Sequence, residues 1–152
     1  MIVVETPIAL TRHSGQELGV TSWFEVRQEQ IDAFAELTGD DHWIHVDVER
    51  AARESPDGRT IAHGLYTLSL IPRLQRQLFR IEQRGAGLNY GYDRIRFLAP
   101  VPVGSALHLR QSVGAVAPRG SGARIELRSA IDIKGADKPA LIADGILLIA
   151  AA

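Results

Sequence analysis

Asp40 and His45 stand five residues apart in the run Thr38-Gly-Asp-Asp-His-Trp-Ile-His45, with His42 between them. A carboxylate beside an imidazole supplies a base and an acid whose proton affinities adjust each other, as proton-transfer chemistry near neutral pH requires. Spacing alone does not separate such a pair from an Asx turn followed by a packed histidine. The two histidines, Asp40 and His63 could also be read as metal ligands. Metal centres usually need a fuller ligand set with outer partners, and no acid adjoins His63. No metal and no cofactor are expected. Downstream, Ile61-Ala-His-Gly64 precedes an uncharged apolar segment. A helix starting there presents unpaired N–H groups to a carbonyl oxygen or oxyanion, and Gly64 lets a ligand approach the backbone. An ordinary glycine turn reads the same way.

The elements around these residues follow from hydrophobic spacing. Val20 to Val26 reads as a strand. Ile31, Phe34, Ala35 and Thr38 recur at helical intervals from Glu29 to Thr38, with Gly39 as C-cap, and a second helix starts at the N-cap Asp47 and runs through Arg53. Asp40 to His45 is then a polar loop held between helices, a common seat of functional side chains. Ser55 to Arg59 is a turn. Gly64 to about Gln83 is expected as one long helix bent at Pro72, buried nearly all round over Leu65 to Ile71 and amphipathic afterwards through Leu74, Leu78 and Ile81.

The second half is strand. Ile125, Leu127, Ser129, Ile131 and Ile133 alternate with polar neighbours, as do Leu107, Leu109, Gln111 and Val113. Gly120 to Gly122 and Gly135 to Pro139 read as hairpin loops, and Leu141 to Ile149 as a more uniformly apolar strand. Between Leu88 and Phe97 the apolar phase slips from even to odd positions, which predicts a β-bulge near Gly91 to Arg94. The sum is an α+β fold, an antiparallel sheet around one long helix. Tyr90 and Tyr92 read as core of a bulged strand, Asn89 as a polar contact in a pocket, and Arg73, Arg76, Arg80 and Arg84 as a solvated face able to lend one guanidinium to a phosphate.

Totals exclude several classes. At 152 residues, 45% hydrophobic and 23% charged, the chain is expected to form one domain, residues 1–152, with a real core. A net charge of -1 gives no reason to expect nucleic acid or an anionic membrane as partner. The absence of cysteine removes disulfides, thiolate catalysis and Cys-based zinc sites. No signal-peptide pattern and no membrane-spanning run is seen, so a soluble, cytoplasmic protein is expected.

Asp40-x-x-x-x-His45-x-Asp47 followed by Ile61-Ala-His-Gly64 resembles the hydratase-2 motif of the MaoC-like (R)-specific enoyl-CoA hydratases. Thr-Gly-Asp40, Trp43-Ile-His45-Val-Asp47, Asn89-Tyr-Gly91 and Arg96-Phe-x-Ala-Pro-Val-Pro-Val-Gly104 are most similar to its single-hotdog, nodulation-protein-N-like branch. The resemblance runs from about Val20 to the C-terminus with the motifs in order. It implies a hotdog fold, a homodimer and a trans-2-enoyl-CoA substrate. It implies Asp40 and His45 as the pair that positions and deprotonates water, and the Gly64 N–H as holder of the thioester oxygen. His63, Leu65, Tyr66 and Asn89 are expected to contact substrate. His42 departs from the branch, which has glutamine before this tryptophan. A hotdog thioesterase commonly carries a carboxylate on the central helix; Leu65 to Ile71 holds none and Glu82 comes too late. A non-catalytic acyl-thioester binding module is expected to have lost Asp40 or His45.

Overall fold

Strict alternation of apolar and polar residues produces the longest strands. The computed structural model describes all 152 residues. In chain order the elements are β1 (Ile2–Val4), a 3-10 turn (Pro7–His13), β2 (Glu17–Val20), β3 (Phe24–Glu25), α1 (Gln28–Thr38), α2 (Trp43–Val46), α3 (Val48–Glu54), α4 (Gly64–Ser69), α5 (Ile71–Gln75), β4 (Phe79–Ile81), β5 (Gly87–Phe97), β6 (Ala106–Arg119), β7 (Gly122–Ile133) and β8 (Pro139–Ile149). The main sheet has the order β2-β6-β7-β8-β5, with β3 also on β6, and every pair is antiparallel. Residues 107, 109, 111 and 113 of β6 and 125, 127, 129 and 131 of β7 are all buried, so one face of the sheet looks inward as their period of two requires. The predicted slip in β5 is present as register shifts between Asn89 and Gly91 and between Tyr92 and Arg94. This is the hotdog arrangement, a sheet with helices laid on its inner face. One apolar cluster runs from Val4 to Ile149.

The helices before the site form as their caps dictate. α1 ends at Gly39, whose φ of 78° lies in the left-handed region where glycine carries no Cβ penalty. Asp47 caps α3 by accepting from the Arg50 N–H at 2.9 Å, worth about 1 kcal/mol.

Three expectations are corrected. Tyr90, read as core of a bulged strand, is 64% exposed on β5. The strand expected from Val20 to Val26 is split: β2 stops at Val20 and only Phe24–Glu25 pairs again, with Thr21 turned inward to accept the Leu109 N–H at its hydroxyl. The single helix expected from Gly64 to Gln83 is two short ones, broken at Leu70. Pro72 has no N–H to give Leu68, but its fixed φ suits the first turn of a new helix, so α5 starts there. Beyond Gln75 the chain leaves the helix, and Phe79–Ile81 pairs in parallel with Ile2–Val4. Leu74, Leu78 and Ile81 are buried as their spacing implies. Phe79 and Ile81 also satisfy strand alternation, and a three-residue run cannot tell the two periods apart. No helix is long and apolar enough to cross a membrane.

Candidate active site

The loop from Asp40 to His45 is not irregular throughout, because Trp43–Val46 closes one helical turn capped by His42. His42 Nδ1 accepts from the Ile44 N–H at 3.5 Å and its ring is exposed, so this residue shapes the turn. The turn points His45 inward, where it is 8% exposed. His45 Nδ1 lies 2.7 Å from the Ile61 carbonyl. A carbonyl oxygen only accepts, so Nδ1 carries the proton and the neutral ring keeps its lone pair on Nε2. Burial pushes the His45 pKa below the ordinary 6.5, and the nearby His63 and His42 act in the same direction, against the Ile61 hydrogen bond and the Asp40 charge. The imidazole is thereby kept neutral at neutral pH, with its Nε2 lone pair free.

His63 lies directly beneath. Its ring stacks on His45 with centroids 3.8 Å apart and packs at 4.9 Å from Phe34. Its Nε2 donates to the Asp40 carbonyl at 2.8 Å, tying the loop to the start of α4, while its Nδ1 is buried without a partner. Asp40 is exposed. One of its carboxylate oxygens, a nitrogen of His45 and a nitrogen of His63 all lie within 4.8 Å of one another. Such a trio offers donors to a metal. Imidazole lone pairs lie in the ring plane, however, and two stacked rings at 25° send theirs side by side rather than to one point. The arrangement suits proton transfer better than chelation.

His45 opens on a cavity of about 260 Å³ whose lining also includes Ile61, Gly64, Thr67, Phe97 and Val101; Asp40 does not line it. Gly64 begins α4, and its N–H has no acceptor in the chain. A Cβ there would stand 2.9 Å from the Phe97 ring, so only glycine leaves this wall in place.

Of the residues expected from sequence, Asp40, His45, His63 and Gly64 come together. The others do not join them. Leu65 is 61% exposed, and Tyr66 is buried with its hydroxyl donating to Gln30 Oε1. Asn89 lines a different cavity and donates to the Tyr92 hydroxyl at 3.4 Å. Nor does His63 line the His45 cavity; it supports the residues that do. Sequence reasoning missed Gln28 and Thr60. Gln28 Nε2 donates to the His45 carbonyl at 2.8 Å, and the Thr60 hydroxyl donates to Gln28 Oε1 at 2.5 Å, bracing the α2 turn against α1. Nothing in their spacing signals this, because the partners are 17 and 32 residues apart.

Residues 10–126 match the family model described as "MaoC like domain". The chain is 40% identical over 148 residues to 3-hydroxyacyl-thioester dehydratase Z of Mycobacterium tuberculosis, covering 97% of each. It is 42% identical over 137 residues to nodulation protein N of Rhizobium leguminosarum bv. viciae, covering 89% of this chain and 85% of that protein. The unliganded (R)-hydratase PhaJ1 from Pseudomonas aeruginosa superposes with a TM-score of 0.77 at 20% identity, covering 97% of this chain and 88% of that one. At that identity the superposition speaks for the fold.

Proposed function

The chain belongs to the MaoC-like family, as an enzyme of the hydratase/dehydratase type, and from that membership we propose that it hydrates trans-2-enoyl-CoA to (3R)-3-hydroxyacyl-CoA and catalyses the reverse dehydration. The observation that carries this reading is the tautomer of His45. With Nδ1–H committed to Ile61, the Nε2 lone pair is the free basic site; a nitrogen of this ring lies within 4.8 Å of an Asp40 carboxylate oxygen, and His45 and Gly64 line one cavity.

A water held by Asp40 gives a proton to His45 Nε2 as its oxygen bonds to C3 of the enoyl thioester. The C2=C3 π electrons move toward the thioester, and the developing enolate oxygen is met by the Gly64 N–H. A fixed donor of that kind contributes about 3 kcal/mol at the transition state. The Asp40–His45 pair then returns a proton to C2, so water is added across the double bond with no net proton change. His63 acts through the other residues, setting the Asp40 backbone and the height of the His45 ring. Hydrolysis of the thioester is disfavoured because α4 and α5 carry no carboxylate.

A homodimer belongs to the same reading. β5 is an edge of the sheet, eleven residues long, and exposes Leu88, Tyr90 and Phe97. An edge strand that leaves these three large apolar side chains in water invites pairing, and a second copy of the chain would cover them.

Crotonyl-CoA tests the activity directly. Loss of the conjugated enoyl absorbance without release of free CoA thiol is the expected result, with (3R)-3-hydroxybutyryl-CoA as product. Thiol release would show a thioesterase instead, and binding without turnover would show a carrier or sensor.

A further inference from the structure

A second cavity, of about 290 Å³, lies between α5 and the inner face of the sheet. Ile71, Leu127, Leu147 and Ile149 make much of its lining apolar. Two polar side chains interrupt that lining from the middle of the sheet. Gln111 on β6 and Ser129 on β7 are directly paired across the strands, at inward positions flanked by Leu109, Val113, Leu127 and Ile131. They are 1% and 7% exposed. Gln111 Nε2 donates to Ser129 Oγ at 2.9 Å and to Gln75 Oε1, from α5, at 3.1 Å. Both amide hydrogens are therefore used, and the group is clamped. Its oxygen is not: Gln111 Oε1 is buried and has no partner.

An orphaned amide oxygen carries a desolvation penalty that a leucine at 111 would avoid. Its place relative to the first cavity suggests what completes it. The first cavity lies at the Gly64 end of the α4–α5 segment and the second at the Gln75 end. The same two strands continue from one to the other, Phe97 and Ala140 lining the first, Tyr92 and Gly145 the second. A thioester bound at Gly64 can thus extend its acyl chain along α4–α5 toward Gln111.

We propose that the preferred substrate carries a hydrogen-bond-donating group, a hydroxyl, on its acyl chain remote from the thioester, and that Gln111 Oε1 accepts from it. This rests on reading the first cavity as the thioester site. The clamp fixes the acceptor before the ligand arrives, so little ordering is lost on binding. An unsubstituted chain leaves the oxygen as unpaired as it is in the free protein and forgoes that hydrogen bond. Arg76 and Arg84 also line this cavity, so a carboxylate-ended chain is the competing chemistry.

Calorimetric binding of saturated acyl-CoAs, which cannot be hydrated, decides the matter. Unsubstituted, terminally hydroxylated and terminally carboxylated chains are compared across medium lengths, on wild type and Gln111→Leu. At one length at least, the hydroxylated chain should bind wild type about tenfold tighter than the plain one, one hydrogen bond's worth, and the preference should vanish in Gln111→Leu. Should that variant fail to fold, Gln111→Met replaces it, and Ser129→Ala, which releases the clamp, should weaken the preference. Equal or tighter binding of the plain chain at every length overturns the proposal. So does a preference that survives in Gln111→Leu, a preference for the carboxylated chain, or a lack of binding by all three. Crotonyl-CoA hydration by the same wild-type sample reports separately on the first cavity. If it fails, the hydratase reading falls while the binding comparison still decides the role of Gln111.

Discussion

Around the His45 cavity the polar side chains come from helix ends and loops, and each buried imidazole is anchored through one nitrogen by a backbone carbonyl. Around the Gln111 cavity they come from mid-strand and from α5, and they anchor one another. The contrast separates two uses of a buried polar group. A ring held by main chain keeps one defined tautomer and leaves one lone pair to react. A side-chain network in the sheet has no titrating member; it can discriminate between ligands but cannot move a proton. On the proposed reading, chemistry sits where the backbone is free of ladder bonding, and selectivity where the sheet is rigid.

Perturbing the first cavity should produce the larger effects. Replacing the base, His45→Ala, or its partner, Asp40→Asn, should lower kcat for crotonyl-CoA by about 10²–10⁴-fold. The double variant should be hardly worse, since the two act as one unit. Gly64→Ala comes next. Its methyl meets Phe97 and the N–H must move with the backbone, so kcat should fall by about 10²-fold with circular dichroism unchanged. His63→Gln keeps an amide N–H for the Asp40 carbonyl but removes the stacked ring. Its kcat should fall by up to about 100-fold. The acid limb of its pH–rate profile should move to higher pH, because the His63 charge no longer depresses His45. The same group makes a smaller contribution to stability. The folded His45 binds a proton less readily than the unfolded one. Stability is therefore full above 6.5 and is lost as pH falls from 6.5 through the lowered folded value. Urea midpoints across that window should drop more for wild type than for His45→Gln.

The two cavities were unequally legible in the sequence. The first is written in short, ordered motifs, Thr38 to His45 and Ile61 to Gly64, because a loop and a helix start are local structures with local signals. Its braces were not: Gln28 reaches the His45 carbonyl, and Thr60 reaches Gln28, only after α1 folds against the turn. Gln111 and Ser129 were visible in a different sense. Both fall on the inward phase of alternating strands, which reveals their burial. Only strand register puts them opposite each other and only the packing of α5 brings Gln75 to them. The long helix failed for a related reason. From Gln75 onward the partner that decides the conformation, Ile2–Val4, lies at the other end of the chain.

The central claim is that Asp40 and His45 together add water to an enoyl thioester. Crotonyl-CoA hydration by wild type, Asp40→Asn and His45→Ala, on samples shown to be folded by circular dichroism, tests it most directly. Wild type should turn over crotonyl-CoA, and each variant should lose nearly all of that activity. Hydration that persists undiminished in either one would contradict it.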